Sequence, residues 1–173
     1  MPNEPDFFPL AVMHDLILGA RLMRHYNGKA VLTKTGKAMI GDYGALQVEM
    51  FDTFFIALDH ATYERFPIEY DDADIRHFLG VIQNRLGDWV TLADFAAWCL
   101  PLDAIRKWRI SPKVDACFYL TSRVVRPLIW LGLLEQAVAE RRMVIEERLV
   151  RKTPLFDRFV RVSIGQSNGW SIH

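Results

Sequence analysis

The chain is 173 residues long and 51% apolar, enough for one ordinary domain or two small ones sharing a core, and able to fold unaided. Lys plus Arg equals Asp plus Glu at 21 each, so no overall field draws the protein to nucleic acid or to an anionic membrane; any such binding has to come from a local patch. The acidic start Met1-Pro2-Asn3-Glu4-Pro5-Asp6 is unlike a secretory or mitochondrial leader, and no apolar run nears the roughly 18 residues a bilayer needs, so the expectation is a cytoplasmic protein with no membrane partner.

The first predicted helix runs from Pro9 to about His25 on a stripe of Leu10, Met13, Leu16, Ile17, Ala20 and Met23. Tyr26-Asn27-Gly28-Lys29 ends it. The Asn-Gly pair followed by β-prone Ala30-Val31-Leu32 and Thr33-Lys34-Thr35-Gly36-Lys37 predicts a small hairpin with a very short first arm. From Ala45 to Leu58, the residues Leu46, Met50, Phe51, Phe54, Phe55 and Leu58 give a second helix an aromatic face expected in the core and in contact with the other half of the chain. Asp59 to Tyr70 reads as the connection. Asp71, Asp72 and Asp74 then suit the start of a third helix, where the backbone dipole favours negative charge.

That helix carries Ile75, Phe78, Leu79, Ile82 and Leu86 and stops at Gly87. Asp88-Trp89-Val90 reads as a short extended piece, and Thr91 as the cap of a helix that buries Leu92, Phe95, Ala96 and Cys99 before Pro101. Ser111-Pro112 starts the next helix, which reaches about Leu131 with Pro127 expected to kink it near Arg123. After Gly132, Leu133-Leu134-Glu135 leads out, a charge-alternating stretch from Glu140 returns to Lys152, and Thr153-Pro154 starts a last helix. The tail, 165–173, is polar and glycine-rich and is expected to be loose apart from a docking of Trp170.

From Asp72 onward this is the element order of a winged helix-turn-helix, though a plain helical bundle with a connector gives much the same pattern. Arg126-Pro127-Leu128-Ile129-Trp130-Leu131-Gly132-Leu133-Leu134-Glu135 followed by Lys152-Thr153-Pro154-Leu155-Phe156 resembles the recognition-helix exit and post-wing stretch of winged-helix proteins, with Lys152 where that pattern has Leu. The segment from Gly28 to Ala38 is similar to the wing exit of bacterial regulators. It also resembles a segment of proteins akin to the plasmid Ri open-reading-frame-three-like family, which are associated with mobile elements. Ala20-Arg21-Leu22-Met23 before the first hairpin parallels Leu131-Gly132-Leu133-Leu134 before the second, as a degenerate internal repeat would. The first copy lacks two preceding helices, which leaves either a longer protein or a module decayed into a helical brace. The expected fold is therefore mainly α: a winged helix-turn-helix over 71–164 with a small β-hairpin wing, packed on an N-terminal helical half over 1–70 that reads as a degenerate winged helix.

No nucleophile stands beside a base, no Walker or dinucleotide loop occurs, and His14, His25, His60, His77 and His173 are scattered without metal-ligand spacing. The expectation is a non-enzymatic protein without cofactor or metal. Cys99 and Cys117 sit among apolar neighbours and read as buried small hydrophobes.

Tyr119, Ser122, Arg123, Arg126 and Trp130 recur on one helix face, opposite a buried line of Val114, Cys117, Phe118, Thr121, Val125 and Leu128. Tyr119, Ser122, Arg123 and Arg126, with Lys113 before them and Arg148 and Arg151 from the wing, are the candidate contacts to double-stranded DNA. Lys107, Arg109, Arg141, Arg142 and Lys152 add further basic charge. The alternative is a protein partner. Glu135, Glu140, Glu146 and Glu147 interleave with the wing's cations, and packing of Tyr119 and Trp130 on the 45–58 face would bury the surface DNA needs.

Overall fold

The computed structural model describes residues 8–58, 75–101, 110–137, 144–161 and 171–172. It is mainly α-helical with small antiparallel sheets, as expected. The chain divides into two units, Met1–Asp59 and His60–His173. The connection from Asp59 to Tyr70, the Asp71, Asp72 and Asp74 helix start, Lys107, Arg109, Glu140, Arg141, Arg142 and Trp170 lie outside the described residues.

In the first unit, α1 (Phe8–Gly19) buries Val12 and Leu16, with Ala20 just beyond its end. The helix was expected to reach His25 but stops at Gly19. Arg21 takes a left-handed φ of 55°, and Leu22 and Arg21 donate their amides back to the Ile17 and Leu18 carbonyls at 3.0 and 2.9 Å. This closure satisfies carbonyls the helix end leaves open and turns the chain into an extended course. Strand β1 (Met23–Tyr26) then pairs antiparallel with β2 (Lys29–Leu32) from Met23 opposite Leu32 to Tyr26 opposite Lys29. Asn27 and Gly28, at φ 49° and 71°, make the two-residue turn whose twist suits a hairpin.

Thr33 caps α2 (Lys34–Ala38), Asp42 caps α3 (Tyr43–Asp52) by accepting the Ala45 amide at 3.0 Å, and α3 runs on into a π turn, Thr53–Ala57. Met50, Phe51 and Phe54 are buried, with the Phe55 ring centroid 4.7 Å from Phe51 and 4.9 Å from Phe54. The aromatic face of this helix is thus core, as its spacing predicts.

In the second unit, α4 (Ile75–Arg85) buries Phe78, Leu79 and Ile82, and β3 (Val90–Thr91) leads to α5 (Leu92–Cys99). The Thr91 hydroxyl oxygen accepts the Asp94 amide at 3.1 Å, the cap its position predicts. Ser111 likewise caps α6 (Pro112–Leu120), accepting the Val114 amide at 3.3 Å. The helix line continues through a π turn, Thr121–Val125, into α7 (Arg126–Trp130). Pro127 has no amide hydrogen and its ring crowds the preceding turn, and the turn just before it is widened, with the Arg126 amide on the Thr121 carbonyl, at the place where the sequence puts a kink.

Gly132, at φ 71°, turns the chain into β4 (Leu134–Ala137); a 3-10 turn, Ile145–Glu147, precedes β5 (Leu149–Lys152), and α8 (Pro154–Phe159) follows. Strand β5 lies between β3 and β4 in an antiparallel sheet of order β3-β5-β4. The end of the chain, expected to be loose, returns as β7 (Ser171–Ile172) against β6 (Val160–Arg161). Among the described residues no helix is long and apolar enough to cross a membrane.

The two hairpins leave their helices through one set of hydrogen bonds. Where Leu22 donates to Ile17, Leu133 donates to Leu128 at 2.8 Å; where Arg21 donates to Leu18, Gly132 donates to Ile129 at 2.9 Å. Each returning strand is followed by a threonine: the Thr33 amide donates to the Leu22 carbonyl at 3.0 Å, and the Thr153 amide to the Leu133 carbonyl at 3.0 Å. The Thr33 hydroxyl donates to the Arg21 carbonyl at 2.6 Å and accepts the Gly36 amide at 3.0 Å; the Thr153 hydroxyl donates to the Gly132 carbonyl at 2.7 Å and accepts the Phe156 amide at 3.4 Å. The register matches too, Met23 opposite Leu32 and Leu134 opposite Lys152. The parallel between residues 20–23 and 131–134 is therefore a shared backbone frame.

Candidate nucleic-acid interface

The exposed face of the α6–α7 line is set by what the inner face must cover. Ala116, Cys117, Leu120, Val124, Val125 and Leu128 are buried, and so is Tyr119, at 2% exposure, its ring centroid 6.4 Å from that of Phe78. Phe118 is 37% exposed instead. Tyr119, expected on the outer face to meet phosphate, is thus withdrawn into the unit, and the outer face is one residue out of phase with the sequence reading at this turn. Arg123 lays its guanidinium 5.2 Å from the Tyr119 ring centroid, where the ring's negative face attracts it. The Ser122 hydroxyl donates to the Phe118 carbonyl at 2.9 Å, a bond back along its own helix.

Lys113 is exposed in the first turn of α6, and Arg126 is exposed at the start of α7. Although the residue is exposed overall, part-burial of its guanidinium first, and the Arg148 charge second, hold Arg126 below its usual value. Arginine stays charged regardless, so Arg126 on the helix line and Arg148, the residue before β5, carry like charges that act on one another.

Arg151, expected as a phosphate contact, serves the hairpin itself. Its Nε donates to Glu135 Oε1 at 2.6 Å across the β4–β5 pair, and its guanidinium lies 4.4 Å from the Trp89 ring centroid. The hydrogen bond to Glu135 raises its already high pKa. Lys152 is similarly engaged, with Nζ 2.7 Å from Asp157 Oδ1. Burial pushes the Cys117 thiol up to about 12, with Glu146 adding to the shift and Lys113 opposing it, and pushes Cys99 higher still. Both are free thiols, buried and neutral near pH 7, as their neighbours predict.

The first unit holds features the sequence reading passed over. The outer residues of its hairpin, Arg24, Tyr26 and Lys29, are exposed, and Arg24 stands 5.6 Å from the Tyr26 ring centroid. On the opposite face His25 meets His14 of α1, Nε2 to Nε2 at 3.1 Å. Ile17, Leu22, Met23, Leu32, Met39 and Met50 line a pocket of about 370 Å³ whose rim includes Ile40 and Tyr43, 71% and 80% exposed. The signal for the charged face was in the letters: from Leu16 to Gly41 the chain has Arg21, Arg24, Lys29, Lys34 and Lys37 and no Asp or Glu.

Residues 1–45 match the family described as the Y4jL N-terminal domain, so the match spans α1, the first hairpin and α2 and ends within the first turn of α3. No curated protein and no solved structure matches the chain.

Proposed function

We propose that this is a non-enzymatic, cytoplasmic DNA-binding protein of winged-helix type, acting as a regulator or mobile-element accessory protein. Supporting the fold is the element order α4, β3, α5, α6–α7, β4, β5, with the short first strand set beside the returning arm in the order β3-β5-β4. The observation that carries the DNA reading is that Lys113 and Arg126 stand exposed along the α6–α7 line, with Arg148 near enough for its charge to act on Arg126. A polyanion laid along cations of one sign is attracted to each of them and releases condensed counterion as it binds. Phosphates of duplex DNA at Arg126 and Arg148, with Lys113, Ser122 and Arg123 further along the helix line, suit this arrangement. Tyr119 has no part in it, and Arg151 holds the root of the wing.

A second reading, a protein-interaction module without DNA binding, is favoured by the apolar pocket of the first unit and its exposed rim of Ile40 and Tyr43. A salt titration of binding to a short random-sequence duplex separates the two. Each phosphate contact releases condensed counterion and contributes about −0.9 to the log–log slope. The double variant R126Q/R148Q should flatten the slope by about two contacts while its thermal unfolding stays close to that of the parent. An unchanged slope would remove this site from any DNA reading, and no duplex binding at low salt by the parent protein would leave the protein-interaction reading.

A further inference from the structure

We infer that the first hairpin is itself a contact arm for the phosphate backbone of duplex nucleic acid, independent of whether Arg126 and Arg148 bind DNA. The register divides the hairpin's side chains between two faces. Met23, His25, Ala30 and Leu32 share one: Met23 and Leu32 line the pocket, and His25 touches His14 of α1. Arg24, Tyr26, Lys29 and Val31 share the other. Arg24 and Lys29 are diagonal neighbours there, about 7–8 Å apart at the backbone, so both exposed cations are carried by one arm closed by a two-residue turn. Tyr26 stands beside them, 58% exposed, under the Arg24 guanidinium.

The second hairpin acts as an internal control. At the position matching Arg24 it has Glu135, and opposite stands Arg151, so the pair neutralises itself across the strands. In the first hairpin Arg24 stands opposite Val31. Lys34 and Lys37 follow on α2 and Arg21 precedes β1, all exposed, with no carboxylate between Leu16 and Gly41. The same frame thus carries a self-compensated Glu135–Arg151 pair in one unit and, at Arg24 and Lys29, two cations with no acid opposite them across the strands in the other.

The chemistry favours duplex backbone over the other polyanions. A membrane-bound arm needs apolar residues to insert beside its cations, and this face offers a tyrosine and the half-buried Val31. A single-strand platform stacks successive bases on open aromatic faces, and here one ring is present with Arg24 over it. Two cations on a narrow ribbon are what a groove edge with a dense phosphate charge recruits.

The test uses the full chain and its R24Q/K29Q variant, titrated with salt against a short random duplex, the matching single strand, and vesicles containing phosphatidylserine. The expected result is duplex binding whose log–log slope flattens by about 1.8 in the variant, so that a fourfold rise in salt weakens the parent roughly tenfold more than the variant. The charge-conserving R24K/K29R should restore the slope, and the same loss should occur when R24Q/K29Q is placed in the R126Q/R148Q background. A slope unchanged in R24Q/K29Q, tighter binding of the single strand than of the duplex, or capture by vesicles without duplex binding would each overturn the inference. Loss of slope in R126Q/R148Q alone would overturn it while leaving the winged-helix reading standing.

Discussion

In the first unit a glycine lies over the carbonyl of Leu22, and in the second a phenylalanine occupies the matching place after Thr153. A Cβ on Gly36 would collide with the Leu22 carbonyl oxygen, so there the short helix closes on the hairpin root by bare backbone. Phe156 is fully buried and closes its root with a side chain. The shared part, the left-handed exit and the threonine clamp, is made of backbone groups and one hydroxyl, and tolerates different residues around it. The parts that differ decide what each hairpin packs on and what it shows to solvent.

The largest effect should come from emptying the second root. Phe156→Ala removes a fully buried ring and should cost about 3–5 kcal/mol. Gly36→Ala, which fills rather than empties, should cost about 1–3 kcal/mol, because the α2 backbone must retreat from Leu22. Chemical denaturation followed by circular dichroism measures both. A Gly36→Ala protein with the parent's midpoint would show that the first root is looser than its close approach implies, and the contrast between the two closures would fail.

The clamp is next in size. Thr33→Ala and Thr153→Ala each remove a hydroxyl that donates to a carbonyl of the helix exit and accepts an amide of the following helix. Each should cost about 0.5–2 kcal/mol, the range of an N-cap loss, and serine at either position should recover most of it. Similar losses would support one frame used twice. The longer Phe156 contact, 3.4 Å against 3.0 Å at Gly36, predicts the smaller loss at Thr153.

Much of this frame was legible because its signals are local. Ser111-Pro112, Thr91 and Thr153-Pro154 each announce a cap through a side chain acting within three residues, and the Asn27-Gly28 turn and Gly132 name backbone states that few other residues adopt. The end of α1 was hidden because Ala20-Arg21-Leu22-Met23 are good helix formers that continue the apolar stripe, and only pairing with β2 makes a strand of Met23 to Tyr26. The five-residue α2 was missed because its cap, Thr33, stood within a segment already taken as hairpin.

Of the candidate site, the helix was found and its face was partly misjudged. Phe118 and Tyr119 are adjacent aromatics, and periodicity alone does not say which one points at Phe78. Arg151 counted as a candidate phosphate contact because the partners that engage it, Glu135 and Trp89, are 16 and 62 positions away and are brought to it by the fold. The cationic face of the first hairpin was overlooked for the opposite reason: zero net charge over the whole chain masked a 26-residue stretch, Leu16 to Gly41, without an acid.

The smallest and finest test concerns the residue that turns each helix into its hairpin. Gly132 and Arg21 hold the same left-handed position, at φ 71° and 55°. A side chain in that conformation costs roughly 1–2 kcal/mol, while glycine gives back about 0.5–1 kcal/mol through the extra freedom of its unfolded chain. Arg21→Gly should therefore be neutral or stabilise the first unit by up to about 1 kcal/mol. Gly132→Ala should destabilise the second by about 1 kcal/mol. A Cβ at Gly132 meets only the Leu155 side chain, at an ordinary 3.7 Å, so that loss would be conformational rather than steric. Shifts of the urea midpoint at constant slope read both. If Arg21→Gly instead loses stability, the Arg21 side chain holds the hairpin by a contact the shared frame does not need. If it keeps stability but flattens the salt dependence of duplex binding by about one contact, Arg21 belongs to the same cationic face as Arg24 and Lys29.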